Sequence, residues 1–249
     1  MFEVSGKIIA VTGASSGIGQ AMASHLAKSG AKVIAIARRT EALSKWAENT
    51  DGSVGFVAAD LGDIDSLANV SQKIKSHFGN VDILINAAGL NPRIHADEVT
   101  KKIWNETLDI NLNAPFFLAQ QMVPAMKESK WGRIINFASL QSERAFENGI
   151  SYGTAKGGVM QMTRAMAQAW SKDGITVNAI APGFFPTEWN RKNFITPERE
   201  KAILNHTPMG RFGNTEELIG AAIYLASSAS SFVTGSELVV DGGFSAMTI

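Results

Sequence analysis

The chain has no cysteine among its 249 residues. That excludes disulfides, thiolate metal sites and thiol nucleophiles together, and it is compatible with the cytosol without requiring it. Its 23 basic and 23 acidic residues cancel, so no overall field recruits nucleic acid or an anionic membrane. The four histidines, His25, His77, His95 and His206, are scattered without ligand spacing, and no metal site is expected. His25 and His77 fall in helical stretches and read as structural. No charged start followed by a long apolar segment precedes the first strand-like run, so neither a secretory signal nor a membrane span is expected, and cytoplasmic is the default location. Repeats, low-complexity tracts and dividing linkers are also missing. The expectation is one domain over residues 1–249, with 45% apolar residues, ordinary for a soluble globular protein.

What the chain does have is a glycine turn. The apolar run Lys7–Thr12 ends in Gly13, Gly17 and Gly19, and a helix-permitting stretch from Ile18 to Lys28 follows. A buried strand, a tight turn and a helix start expose backbone N–H groups to a phosphate. Gly13 allows the turn, Gly17 leaves room for a pyrophosphate, and Gly19 lets the helix pack closely on the strand. The spacing is G-x-x-x-G-x-G, unlike the commoner G-x-G-x-x-G fingerprint. By itself the turn is a moderate signal, the lesser reading being a glycine-rich connection that binds nothing.

Strand-like and helix-like segments then alternate. Strands are expected at Ala31–Ala37, Gly55–Ala59, Val81–Ile85, Gly132–Ser139, Ile175–Ile180 and Glu237–Asp241. Helical spacing runs from Asp63 to Phe78, where Asp63 or Asp65 is a candidate cap, and from Thr100 to Met126, where Pro115 should kink or restart the helix. A second long helix is expected from Tyr152 to Lys172, and a last one from Thr215 to Ser227. This pattern predicts the α/β class: a single-domain doubly wound Rossmann fold with seven parallel strands and helices on both faces. Such a sheet binds ligands at the carboxyl ends of its strands. The glycine turn, Arg38, Asp60, Asn86 to Gly89, Ser139 and Pro182-Gly183 should therefore share one cleft.

Tyr152 and Lys156 stand four residues apart on one helix face. A tyrosine used as a base near neutral pH needs its pKa lowered by roughly 3 units, or about 4 kcal/mol. An ammonium about 4 Å away supplies about 4 kcal/mol at an effective dielectric of about 20. Alone, such a pair on a helix is usually surface packing.

With Ser139, thirteen residues upstream at a strand end, the chain resembles the short-chain dehydrogenase/reductase family over essentially its whole length. The motifs are Thr12-Gly13-Ala14-Ser15-Ser16-Gly17-Ile18-Gly19, Asn86-Ala87-Ala88-Gly89, Asn111, Ser139, Tyr152-Gly153-Thr154-Ala155-Lys156 and Pro182-Gly183 with Thr187. One position departs, Ala87, where many members have a second asparagine. The resemblance implies that Tyr152 exchanges a proton with the substrate oxygen and that Ser139 hydrogen-bonds the same oxygen. Lys156 lowers the tyrosine pKa and holds the nicotinamide ribose, and Asn111 fixes a water that completes a proton relay. It further implies that Asp60 and Leu61 flank the adenine and that Thr187 bonds the carboxamide.

No carboxylate stands at Ala37, where one would select NAD, and Arg38 and Arg39 follow directly. A guanidinium grips a 2′-phosphate, so NADP(H) is the preferred cofactor, with Arg38 the main contact, Ser15 a helper and NAD(H) the alternative. Two solvated arginines opening a helix are the plainer reading.

Substrate identity belongs to Leu90–Asp97, Leu140–Gly149 and a lid around residues 184–211. Arg93, Gln141, Arg144, Asn148 and Trp189 suit a polar, carboxylated substrate better than a steroid. The overall wording resembles the sugar-acid and polyol branch that includes gluconate 5-dehydrogenases, with Arg93 or Arg144 near the carboxylate. The alternatives are a 3-oxoacyl-carrier-protein reductase, for which the neutral chain shows no basic docking cluster, a general carbonyl reductase, and a non-catalytic dinucleotide-binding regulator. The family resemblance and the apolar surplus on the two long helices imply a homotetramer.

Overall fold

The computed structural model describes residues 1–186 and 195–247. Seven apolar stretches pair as strands: β1 Ile8–Thr12, β2 Lys32–Ala37, β3 Val54–Ala58, β4 Ile83–Asn86, β5 Gly132–Phe137, β6 Ile175–Pro182 and β7 Glu237–Val240. Every pairing is parallel, and the order is β3-β2-β1-β4-β5-β6-β7. The order reverses between β1 and β4, the switch point at which such sheets open a crevice. All seven expected strands form.

The helices are α1 Gly17–Lys28, α2 Thr40–Glu48, α3 Leu67–Phe78, α4 Lys101–Leu108, α5 Ala114–Glu128, α6 Ile150–Trp170, α7 Pro197–Asn205 and α8 Ile219–Ala226. Because strand side chains alternate, Ile9, Val11, Ile83 and Ile85 enter one core with Met22 and Leu26 of α1, Leu43 and Trp46 of α2, and Leu225 of α8. Ala10, Leu84 and Ile134 enter the opposite core with Leu67 and Ile74 of α3, Leu118 and Met122 of α5, and Met166 of α6. Burial on both faces explains why the central strands read as continuous apolar runs. Among the described residues, no helix is long and apolar enough to cross a membrane.

One local expectation needs correction and another is met. Neither Asp63 nor Asp65 caps through its carboxylate: Asp63 lies outside a short 3-10 turn, Ile64–Ser66, that leads into α3, and it accepts hydrogen bonds there through its backbone carbonyl. The long helical stretch around Pro115 restarts, one of the two outcomes expected. It passes from α4 through a π turn, Asp109–Asn113, and restarts as α5 with Pro115 in the first turn, where its missing N–H costs nothing.

Candidate active site

The turn after β1 is shaped by three glycines. Gly13 and Gly17 adopt φ of 71° and 59°, the left-handed region that penalises a Cβ. A Cβ on Gly13 would lie 2.8 Å from the Ala88 Cα, and one on Gly19 would lie 2.5 Å from the Gly13 carbonyl oxygen. The first turn of α1 is thereby pressed against the ends of β1 and β4, and Thr12 Oγ1 accepts the Ala88 N–H at 3.0 Å. Ser16 caps α1 in extended conformation, its carbonyl accepting the Gln20 N–H at 3.3 Å, while its hydroxyl makes no bond to the helix and accepts from Arg39 Nη2 at 2.6 Å. Arg39 Nε and Nη2 also donate to Ser15 Oγ, at 3.2 and 2.9 Å.

These residues form one end of a cavity of about 770 Å³ at the carboxyl edge of the sheet. Gly13, Ser15–Gly19, Arg38, Arg39, Asp60, Leu61, Ala87–Gly89, Ser139, Tyr152, Lys156, Pro182 and Gly183 all line it. The cradle fits a dinucleotide phosphate: a helix N-terminus, close-approaching glycine backbone and two guanidinium groups converge there. Arg39, rather than Arg38, reaches Ser15 and Ser16, because it directly precedes α2 and turns back over the glycine turn. Asp60 lines the cavity and accepts the Gly62 N–H at 3.0 Å, so it also holds its own loop.

Ser139 ends the extended segment after β5. Its hydroxyl accepts the Gln141 N–H at 3.1 Å, and Ser142 Oγ accepts the Ser139 N–H, closing a reciprocal cap. The same serine side chain hydrogen-bonds Tyr152. Lys156 Nζ lies 5.5 Å from the Tyr152 ring centroid and donates to the Phe137 carbonyl oxygen at 2.6 Å. Lys156 is 3% exposed, and burial lowers its pKa from 10.5 to about 8. The Tyr152 phenol is pushed up by burial, against a downward pull from the Ser139 hydrogen bond. The sequence argument expected a depressed tyrosine; desolvation of the phenolate is the larger effect among this chain's own groups.

Asn111 is fully buried in the π turn. Its Nδ2 donates to the Leu90 and Thr107 carbonyls, both at 2.8 Å, and its Oδ1 accepts the Leu90 N–H at 3.3 Å. A Cβ built on Gly89 would sit 3.0 Å from Asn111 Oδ1 and 4.0 Å from Lys156 Nζ, so both groups border Gly89.

Other expected site residues fall elsewhere. Asn86 does not line the cavity: it is buried, and its Nδ2 donates to Asn136 Oδ1 at 2.9 Å. Asn136 in turn donates to Thr163 Oγ1 at 2.9 Å, a polar chain that ties β4, β5 and α6 together beneath the site. An asparagine interrupting the apolar run of β5 was the signal for it. Arg144 and Asn148 line a second cavity of about 590 Å³, and Arg144 Nη2 donates to the Ser245 carbonyl oxygen, which pulls it away from Tyr152. Gln141 borders both cavities, whereas Arg93 borders the catalytic one. Thr187 and Trp189 lie outside the described residues. Arg199, Glu147 and Phe184 line the catalytic cavity without having been singled out. The four histidines stay apart: His77 meets the Phe56 carbonyl at 3.1 Å and His206 packs edge-on against Phe244. Among the described residues no cluster of metal-ligating side chains forms.

A seven-stranded parallel Rossmann sheet with a glycine cradle at one end of its cleft and Ser139, Tyr152 and Lys156 at the other defines a class of dinucleotide-dependent oxidoreductases. The family model described as enoyl-(acyl carrier protein) reductase matches residues 13–245, and the chain belongs to the short-chain dehydrogenase/reductase family. It is 38% identical over 247 residues to gluconate 5-dehydrogenase of Gluconobacter oxydans, covering 98% of this chain and 96% of that one. It is equally 38% identical over 253 residues to 2-dehydro-3-deoxy-D-gluconate 5-dehydrogenase of Dickeya dadantii, covering 98% and 97%. A crystal structure of gluconate 5-dehydrogenase from Burkholderia cenocepacia, in complex with NADP and tartrate, superposes with a TM-score of 0.93 at 33% identity, covering 99% of this chain and 98% of that one.

Proposed function

We propose that this chain interconverts a secondary alcohol and a ketone on a sugar acid, with NADP(H) as the preferred cofactor. The observation that carries the reading is a single cavity holding the glycine cradle, Arg38 and Arg39 at one end and the Ser139–Tyr152 hydrogen bond beside Lys156 at the other. Arg39, donating to Ser15 and Ser16, presents positive charge beside the glycine turn, and no carboxylate stands at Ala37 to repel a 2′-phosphate. The sugar-acid relatives support the substrate class.

The nicotinamide, when bound, supplies or accepts the hydride. Every proton movement falls to the chain. Ser139 and Tyr152 hold the substrate oxygen. The buried phenol is protonated at neutral pH, so in ketone reduction Tyr152 donates its proton as the oxygen gains negative charge. Lys156 is mostly charged at neutral pH and steadies the phenolate left behind. Asn111 holds Leu90, and through it the cavity wall beside Lys156. We also assign a homotetramer, supported by the exposed Phe117, Ile150, Phe232 and Val239 on α5, α6, the segment before β7 and β7 itself.

A screen of aldonates, ketoaldonates, polyols and neutral ketones with NADPH and NADH, read at the nicotinamide absorbance, tests this. Turnover of a sugar acid with a kcat/KM for NADPH above that for NADH is expected. A ratio below one refutes the cofactor preference, and turnover of neutral compounds alone refutes the substrate class.

A further inference from the structure

We infer that Arg93 and Arg199 form a two-armed clamp for the substrate carboxylate, and that Arg199 decides between sugar acids and neutral polyols. This rests on the sugar-acid reading above and extends it to a residue that the sequence did not single out.

The two arginines come from distant parts of the chain. Arg93 follows β4, and its backbone adopts φ of 54°, an unfavourable conformation for a residue with a Cβ. The Asn91 side chain accepts the Arg93 N–H at 3.2 Å and holds this turn. Strain kept at a cavity wall is characteristic of residues placed for binding. Arg199 lies in the first turn of α7, whose cap is fixed by the Arg199 N–H donating to Thr196 Oγ1 at 3.2 Å. Arg199 and Ile203, one turn apart, both line the cavity that contains Ser139 and Tyr152. Ile203 is buried and anchors that helix face.

Charge supports the pairing. Burial lowers the Arg93 pKa, and Arg199 lowers it further while Glu147 raises it, so the three groups share one electrostatic environment. Among the described residues lining the cavity, two guanidinium groups, Arg93 and Arg199, stand with Glu147 in this charged environment. A monocarboxylate complements the guanidinium groups; a neutral polyol does not. Two guanidinium groups also offer planar pairs of N–H donors that match a carboxylate, which a hydroxyl chain cannot fill. Arg144, the other arginine considered for this role, is turned toward Ser245.

The test compares wild type with Arg199→Gln, Arg199→Lys and Arg93→Gln, using D-gluconate with NADP+ and a neutral polyol such as galactitol. NADPH affinity serves as the check on folding. Arg199→Gln is expected to raise KM for gluconate at least tenfold with kcat within threefold, and to leave KM for the polyol unchanged. Arg199→Lys should recover part of the loss, because charge returns without the fork. Equal KM changes for acid and polyol, or none for either, overturn the clamp while leaving the sugar-acid reading intact. A wild type that accepts polyols but neither turns over nor binds gluconate overturns both.

Discussion

Lys156→Met should abolish turnover and yet stabilise the fold. Lys156 is 3% exposed, and burial lowers its pKa from 10.5 to about 8. At about 1.4 kcal/mol per pH unit, keeping the ammonium charged in the native state at pH 7 costs about 3 kcal/mol. Methionine fills a similar volume without charge, so packing is largely kept. Against the gain stands the lost hydrogen bond from the charged ammonium to the Phe137 carbonyl, worth about 1.5–3 kcal/mol. The net gain is about 1 kcal/mol, or roughly 2–4 °C in Tm for a chain of this size. The sign with pH is fixed as well. Below about pH 8 both folded and unfolded states hold the proton, and the penalty is complete. Between about 8 and 10.5 the unfolded chain binds more protons than the native one, so wild-type stability rises with pH. Thermal or urea unfolding at pH 7 and pH 10 measures this: the advantage of the variant should shrink as pH rises. A variant less stable than wild type at pH 7, or one whose advantage is independent of pH, would show that the buried ammonium is stabilised by contacts this reasoning omits.

Ser139→Ala removes the hydrogen bond that pulls the Tyr152 pKa down, so the rising limb of alcohol oxidation should move to higher pH, with kcat/KM down about 10²-fold; a pH profile of kcat/KM reads both. Arg39→Ala should lower the NADPH-to-NADH ratio of kcat/KM at least tenfold and more than Arg38→Ala does, because only Arg39 is held on Ser15 and Ser16 among the described contacts. Gly19→Ala places a Cβ 2.5 Å from a backbone oxygen, so about 1–3 kcal/mol of stability and at least tenfold in NADPH affinity should be lost, measured by unfolding and by fluorescence titration. Light scattering should give four times the 26.6 kDa chain mass at micromolar concentration; a monomer refutes the assembly.

The site also shows how the fold sets catalytic chemistry apart from structural support. Tyr152 and Lys156 share a helix face that a sequence reader can draw, but their environment is made by β5: Phe137 supplies the carbonyl under Lys156, and Ser139 supplies the hydroxyl on Tyr152. Below them the Asn86–Asn136–Thr163 chain satisfies polar groups that would otherwise be costly inside two apolar cores. Holding α6 on β5 by hydrogen bonds as well as by packing limits how far Tyr152 and Lys156 can drift.

The sequence by itself determined the seven strands, their parallel arrangement and the cleft at their carboxyl ends, because apolar runs and glycine-rich turns are local patterns that admit few alternatives. It also located Ser139, Tyr152 and Lys156, whose spacing is meaningful before any fold is known. Tertiary structure decided what depends on the environment of a side chain. Burial turned the expected depression of the tyrosine pKa into a rise. Backbone direction after β2 placed Arg39 on the serines ahead of Arg38, and the contact with Ser245 took Arg144 out of the catalytic cavity. Arg199 was invisible in the chain order because it stands more than a hundred residues from Arg93, and only the folded chain brings both to line one cavity.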